Sequence, residues 1–496
     1  MRLPYSMRFL FRVGGVLLLV VVATVLLNTL RLPNHQFPSG PPAPVPALNA
    51  DSITAHLAGA LRIPTISRTR YADTDTGAFE RFGDYLHRTF PLVQQRLSLQ
   101  TVNHYGRLYE WPGSNPALKP LLLLAHQDVV PVLPGTEAHW TRPPFAGQIA
   151  GGYLYGRGAL DDKLNVLGQL EAVEYLLRTG YRPQRTVLLA FGHDEETQGR
   201  YGAAALAGLL RRQHPQLEMV LDEGGFVKSD GVAGLSQPVA LVGVSEKGYL
   251  SLELTARGAS GHSSMPPALT SVGRVAAAVA RLEAQPFPAR LDGGVSGLLA
   301  YLAPAVPFGR RIIFANQWLF GTFLKQILAA TPAGNATLRT TTAPTIIRGG
   351  EKDNVLPAKA VATVNFRLLP GDSVTGVIER VKAIVADPEI AVSVLGVGRD
   401  ASPVSRTDNP AFAQLHRTIK SVFPQALVAP YVTVAATDAR VYVGLCPEAT
   451  YRFMPLLMAQ SDIERLHGTN ERLRPDAYQQ VVRFYVALIK NVQPPR

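Results

Sequence analysis

Cysteine is nearly absent: one residue, Cys446, in a chain of 496. A single thiol cannot close an internal disulfide, so a disulfide scaffold and a thiolate metal site are both excluded. Charge is sparse too, at 17% of residues. The net charge of +12 comes from arginines scattered singly. With no sustained basic run and no interleaved aromatics, a nucleic-acid partner is disfavoured, and an anionic membrane surface is the plainer counterpart. No G-x-S-x-G elbow and no H-E-x-x-H helix occurs, which argues against a serine hydrolase and a one-zinc protease. Long polar low-complexity tracts are missing, and 47% of residues are hydrophobic, a globular composition.

What is present begins at the N-terminus. Arg2, Arg8 and Arg12 precede "VGGVLLLVVVATVLL" (13–27), and with its flanks the run approaches the length needed to span a bilayer. A cleaved signal peptide and an uncleaved anchor compete. No small-x-small site follows Leu27, which favours the anchor. The basic N-terminal side would stay cytoplasmic and the body would lie outside the cytoplasm, periplasmic or extracellular. Cleavage would release a secreted form. "LPNHQFPSGPPAPVPALNA" (32–50) reads as an extended spacer holding the body off the membrane.

Past the spacer, apolar strands alternate with helices, which predicts a mostly parallel sheet covered on both faces. Each strand ends in acids or histidine. "LLLLA" ends at His126-Gln127-Asp128, "TVLLAF" leads to Gly192-His193-Asp194-Glu195-Glu196, and "LEMVL" ends at Asp222-Glu223. From Tyr249 the order becomes strand–helix–strand–strand–helix–strand, a ferredoxin-like insert. The division expected is an anchor at 1–30, a linker at 31–50, a catalytic domain at 51–248 and 399–496, and an inserted lid or dimerisation domain at 249–398. Within the insert, residues 286–339 read as an irregular, partly apolar extension.

Acid clusters at neighbouring strand ends repel one another unless cations lie among them. His126 and Asp128 stand two apart on an extended strand, so the carboxylate can hold the imidazole in one tautomer. Asp161 and Asp162 in "GALDDK" open a helix, and one of them could bridge two ions. Of the adjacent pair Glu195 and Glu196, one can ligate while the other takes a proton from water. Each signal alone is ordinary: H-x-D after a strand is often structural, and "EE" is often a solvated helix start. Their joint occurrence at successive strand ends changes the balance.

The motifs "HQDVVP", "GGYLYGRGALDDK", "GHDEE", "LDEGG", "GHSSMP" and "LHGTNE", in this order, resemble the aminoacylase/carboxypeptidase S family of co-catalytic zinc amidohydrolases. Within it the likeness is to the N-acyl-amino-acid hydrolase/synthase and carboxypeptidase S branch, from about Asp51 to the C-terminus. The resemblance implies two zinc ions per subunit. It makes His126 a ligand of one ion, Asp161 the bridge with a cis peptide to Asp162, and Glu196 and His467 ligands of the other. Glu195 is the implied general base, and Asp128 orients His126. The remaining ligand falls on Asp222 or Glu223. Strand alternation admits only one of them, and the reading leans to Asp222.

In the insert, the resemblance makes His262 the group that polarises the scissile carbonyl, in relatives often across a dimer, which implies a homodimer through the lid. Arg367 and Asn354 would bind substrate, and Asp438 and Arg440 lie in the segment near the substrate carboxylate. His193, beside the acids, is expected to support the ligands from behind or to be structural. The implied reaction is hydrolysis of N-acyl amino acids or of C-terminal peptide bonds. A dipeptidase or carboxypeptidase, and a membrane-anchored binding protein with a dead site, are the alternatives.

Overall fold

The computed structural model describes residues 5–38, 42–44, 46–232 and 234–494. Arg2 of the basic N-terminal cluster, and Ser39, Gly40, Pro41 and Val45 of the proline-rich stretch, lie outside the described residues. The chain divides into two compact units, one comprising 37–248 with 399–496 and the other 1–36 with 249–398.

The larger unit is built on a ten-stranded, mostly parallel sheet. At its centre β1 (Leu121–His126) lies between β2 (Val187–Gly192) and β3 (Met219–Asp222), parallel to both. Every residue of these three strands is buried. A strand covered on both faces needs a continuous apolar run rather than alternation, and "LLLLA", "VLLAF" and "MVL" supply it. The register pairs Leu121 with Val187 and His126 with Gly192 on one side, and Leu121 with Met219 on the other. Parallel strands in near-equal register end together, so their carboxyl-terminal acids emerge at one edge.

α1 (Tyr5–Leu30) carries a 20-residue stretch, Phe11–Leu30, long and apolar enough to cross a membrane. α2 (Lys163–Arg178) follows the Asp161-Asp162 pair and is buried over most of its circumference. Gly180, at φ +72°, ends the turn after it, a left-handed position that a side chain would strain.

In the smaller unit a four-stranded sheet has the order Thr341–Gly349, Lys359–Leu368, Gly248–Arg257, Ile390–Arg399. Helices Ser271–Ala284 and Val374–Val385 pack on it, their Val275, Leu282, Val377 and Val381 meeting Leu252, Leu254, Val364 and Phe366. This is the ferredoxin-like arrangement expected from the element order.

Two expectations need correction. Residues 286–339 are not irregular: they form α3 (Gly293–Leu302), α4 (Phe308–Ala315), α5 (Gln317–Ala329) and a last short helix, Pro332–Leu338. Pro307, Asn316 and Pro332 cut one apolar stretch into short helices, which hides the 3.6-residue period over any long window. They share a small core of Val295, Leu299, Leu324 and Leu338.

Nor is the proline-rich stretch a free spacer. The Ala43 N–H donates to Ser421 O at 3.0 Å, Arg483 Nε donates to Ala43 O at 3.1 Å, and the Phe37 ring lies under the Arg417 guanidinium at 4.7 Å. A proline-rich backbone forms few hydrogen bonds within itself, so most of its polar groups are open to neighbours.

Candidate metal centre

The edge where β1, β2 and β3 end gathers the acids. His126, buried, terminates β1, and its Nε2 faces Asp161 Oδ1 at 2.9 Å and Glu223 Oε1 at 3.4 Å. His467 Nε2 faces the other oxygen of the same aspartate, Oδ2, at 3.0 Å, and Glu196 Oε1 at 3.2 Å. Two sets of ligand-type atoms therefore converge, His126–Asp161–Glu223 and Asp161–Glu196–His467, sharing Asp161. The Asp161–Asp162 peptide is cis.

The donor chemistry tests whether cations fit. Each imidazole Nε2 points at two carboxylates, and one N–H can satisfy only one of them. Burial pushes the Glu223 carboxyl up to about 7, with the Asp161 charge adding to it. Burial likewise raises Glu196, again with Asp161 contributing. Asp161 is desolvated as well, yet hydrogen bonds from His126 and His467 outweigh that and hold it below the usual carboxylate range. Its hydrogen bond to Asp161, then that to Glu196, lifts His467 to about 10. In each set a proton stands where a divalent ion would serve both carboxylates, and the residues present fit two such ions.

Of the Asp222/Glu223 pair, the structure brings Glu223 to the cluster, against the lean toward Asp222. Asp222 is the last residue of β3 and its carboxylate is already used. It accepts the Ala439 N–H at 2.6 Å and the Glu223 N–H at 3.0 Å. The chain turns just beyond the strand, so alternation no longer decides which side chain faces the edge.

Asp128 acts on the site differently from the simple carboxylate–imidazole pair. His126 Nδ1 lies 3.0 Å from the Asp128 backbone carbonyl and 3.4 Å from its carboxylate. The carboxylate instead accepts the N–H groups of Glu195 and Glu196, each at 3.1 Å, and the Ser67 hydroxyl at 2.6 Å. One residue thus holds both the imidazole and the two glutamates. Asp162 adds a second tie, accepting the His126 N–H at 3.2 Å.

Glu195 is half-buried and, among the described residues, stands outside both candidate ligand sets. Burial first, then the Asp438, Glu223 and Glu196 charges, raises its carboxyl well above the usual range. Arg440 Nη1 lies 3.7 Å from its Oε1. Asp438 is buried nearby, 4.0 Å from Arg440, and neither of its carboxylate oxygens has a hydrogen-bond partner among the described residues.

Sequence reasoning passed over Glu471 and Arg157. Glu471, fully buried, accepts N–H groups from Gly158, Leu160 and Asp161 at 2.7–3.2 Å. Arg157 pairs with it at 2.7 Å and also reaches the carbonyls of His467 and Gly468. The available signal was the glutamate closing "LHGTNE", an acid following a histidine in a long motif. His193 stands outside both ligand sets: its Nε2 meets the Tyr71 hydroxyl at 3.0 Å and its ring is edged by Phe79 and Tyr105.

The three remaining predicted residues belong to the smaller unit. His262 is exposed, its Nδ1 2.8 Å from the Ser264 hydroxyl, and the Ser263 N–H donates to Asn354 O at 3.1 Å, so His262 and Asn354 sit on paired segments. Arg367 lies over the Tyr249 ring at 5.0 Å.

A parallel sheet whose strand ends present two histidine–carboxylate sets joined by one aspartate defines a hydrolytic metalloenzyme. The sequence profile of peptidase family M20/M25/M40 matches residues 122–491, and the chain belongs to that family. It is similar to the N-fatty-acyl-amino acid synthase/hydrolase PM20D1 of Xenopus tropicalis, 43% identical over 88% of this chain and 85% of the relative. It is also similar to the probable carboxypeptidase S-like 2 of Dictyostelium discoideum, 38% identical over 96% of this chain and 93% of the relative. Among solved structures, the M20 family metallo-carboxypeptidase Sso-CP2 of Sulfolobus solfataricus shares the fold, with a TM-score of 0.64 at 19% identity over 88% of this chain and 98% of that one.

Proposed function

We propose that this protein hydrolyses the amide bond of N-acyl amino acids, retaining the free carboxylate of the amino-acid product, with two zinc ions and Glu195 as general base. The observation that carries the reading is the sharing of Asp161 between His126 and His467, each facing a further glutamate. His126, Asp161 and Glu223 would hold one ion, and Asp161, Glu196 and His467 the other. When bound, the ions polarise the scissile carbonyl and acidify a water.

The rest is done by the chain. Glu195, desolvated and pushed toward the protonated form, is suited to accept the proton of the attacking water at its carboxylate and return it to the departing nitrogen. The nearby His126 charge opposes that shift, and Arg440 Nη1 stands 3.7 Å from the same carboxylate. Asp128 fixes the backbone of Glu195 and Glu196, so base and ligand keep their spacing. The inserted unit serves as a lid, with His262 donating to the developing oxyanion, Arg367 pairing in bidentate fashion with the substrate carboxylate, and Asn354 contacting the carbonyl. α1 serves as an anchor that leaves the body outside the cytoplasm.

The acyl-amino-acid reading is supported by the similarity to the N-fatty-acyl-amino acid synthase/hydrolase, and the peptide-trimming alternative by that to the carboxypeptidase S-like protein. Zinc content and turnover of Glu195→Gln, measured together on acyl amino acids and dipeptides, test the assignment. Full zinc with abolished turnover is expected; near-normal turnover overturns Glu195 as base. Preference of the unaltered enzyme for dipeptides overturns the substrate class.

A further inference from the structure

Helices α3 to α5 have no part in the chemistry above, yet they are built in an unusual way. α5 turns Leu324 and Leu328 into the small core with Val295 and Leu299. Its exposed side carries Thr322 and Gln326 but is otherwise dominated by large apolar groups. Leu319, Phe323 and Ile327 recur at four-residue steps, which places them on one helix face, and all three are exposed, with Trp318 beside them at 59% exposure. Phe308 of α4 is exposed as well. So many large apolar groups exposed on one short helix of a folded protein mark an interaction surface.

The neighbour of this face says what covers it. α4 packs against α1, the helix long and apolar enough to cross a membrane. The junction is specific. Asn316, fully buried between α4 and α5, receives the Asn28 amide at 3.0 Å and reaches Val25 O and Thr29 Oγ1 at 3.2 Å. The Trp318 indole N–H donates to the same Asn316 side chain at 3.3 Å. Just past α1, His35 stacks on Tyr301 at the end of α3, with ring centroids 4.6 Å apart. The helical insert is therefore fastened to the carboxyl-terminal end of the apolar span, where such a helix leaves the hydrocarbon.

Charge agrees. No Asp or Glu precedes Asp51, and none occurs between Asp292 and Glu351, whereas Arg310, Arg311, Lys325, Arg339 and Arg348 do. Segments without acids, carrying cations and exposed Trp, Phe and Leu, suit the interface of an anionic bilayer, where Trp prefers the headgroup level.

We propose that α4 and α5 form a membrane-docking platform, the Trp318–Leu319–Phe323–Ile327 face seated in the outer lipid interface beside α1. The inference rests on reading α1 as a membrane span. The occupant is the bilayer itself: the face continues the surface of a helix that would already lie in lipid.

The test uses intrinsic fluorescence of the full chain in vesicles of phosphatidylcholine and phosphatidylglycerol, with or without brominated phosphatidylcholine. Of the three tryptophans, Trp111 and Trp140 are buried in the larger unit, so Trp318 reports the platform. Its emission should be blue-shifted and lost to the brominated lipid, and this lipid-dependent loss should vanish in Trp318→Phe. The double variant Leu19→Trp/Trp318→Phe reports α1 separately. Lipid quenching in that double variant, without quenching of Trp318 in the unaltered chain, overturns the platform and leaves the span standing. Quenching in neither protein overturns both. Protection of Trp318 from both brominated lipid and aqueous acrylamide would mean that protein, such as a second copy, covers the face, and that also overturns the proposal.

Discussion

Glu471 and Arg157 form a fully buried ion pair, 2.7 Å apart, that ties together two stretches separated by more than 300 residues. The carboxylate gathers the N–H groups leading to Asp161, and the guanidinium holds the backbone carbonyl of His467. The aspartate shared by the two candidate ion sites and one of its histidine partners are thus positioned by a single contact.

Replacing Glu471 should therefore damage both the fold and the site. Glu471→Ala leaves the Arg157 charge buried without its partner and strips acceptors from three N–H groups, a loss of about 3–5 kcal/mol. Zinc affinity should fall with it, as expected when a group that orients ligands is removed. Denaturant unfolding and metal titration check the two effects. Unchanged zinc affinity in a folded variant would show that the clamp does not act on the ligands.

The neighbours Asp222 and Glu223 should separate cleanly. Glu223→Ala is expected to lower bound zinc from two ions toward one while the protein stays folded. Asp222→Ala should retain both ions but lose about 1–3 kcal/mol, since the buried Ala439 N–H is left without its acceptor. Metal analysis and unfolding of both variants decide the matter. The opposite pattern would return the ligand role to Asp222.

A pH effect is expected away from the site. His416 is fully buried, its Nε2 accepting the Phe37 N–H, and burial with the charges of Lys420 and Arg417 pushes its imidazole down to about 3. The unfolded chain takes up this proton near 6.5, whereas the folded chain resists until about 3. Between these values the unfolded state binds more protons, so stability falls as pH falls, by about 1.4 kcal/mol per unit for one group. The difference in stability between the unaltered protein and His416→Gln, followed down through this window, should show that slope. A difference independent of pH would rule it out.

Much of this is legible in the sequence. Apolar runs of five or six residues ending in acids predicted a parallel sheet with a polar edge, because only a doubly covered strand tolerates such a run and parallel strands finish on the same side. The ferredoxin-like order of the insert and the apolar N-terminal helix followed from periodicity and length. These features depend on local composition, which neighbours along the chain report.

Other features depend on which distant groups meet. Asp222 and Glu223 are equivalent acids on paper, and the turn after the strand, together with the Ala439 N–H, decides which one reaches the cluster. Glu471 is one acid among 37 Asp and Glu until the chain returns it beneath the Asp161 backbone. The helices within 286–339 are too short and interrupted to show a clear period, and it is Asn316 bonded to α1 that explains their placement. Periodicity and composition reveal where a chain buries itself, since burial is a one-body preference. The partner of a buried polar group is a pairwise choice, made only when the folded backbone brings one candidate within hydrogen-bond range and leaves the others outside it.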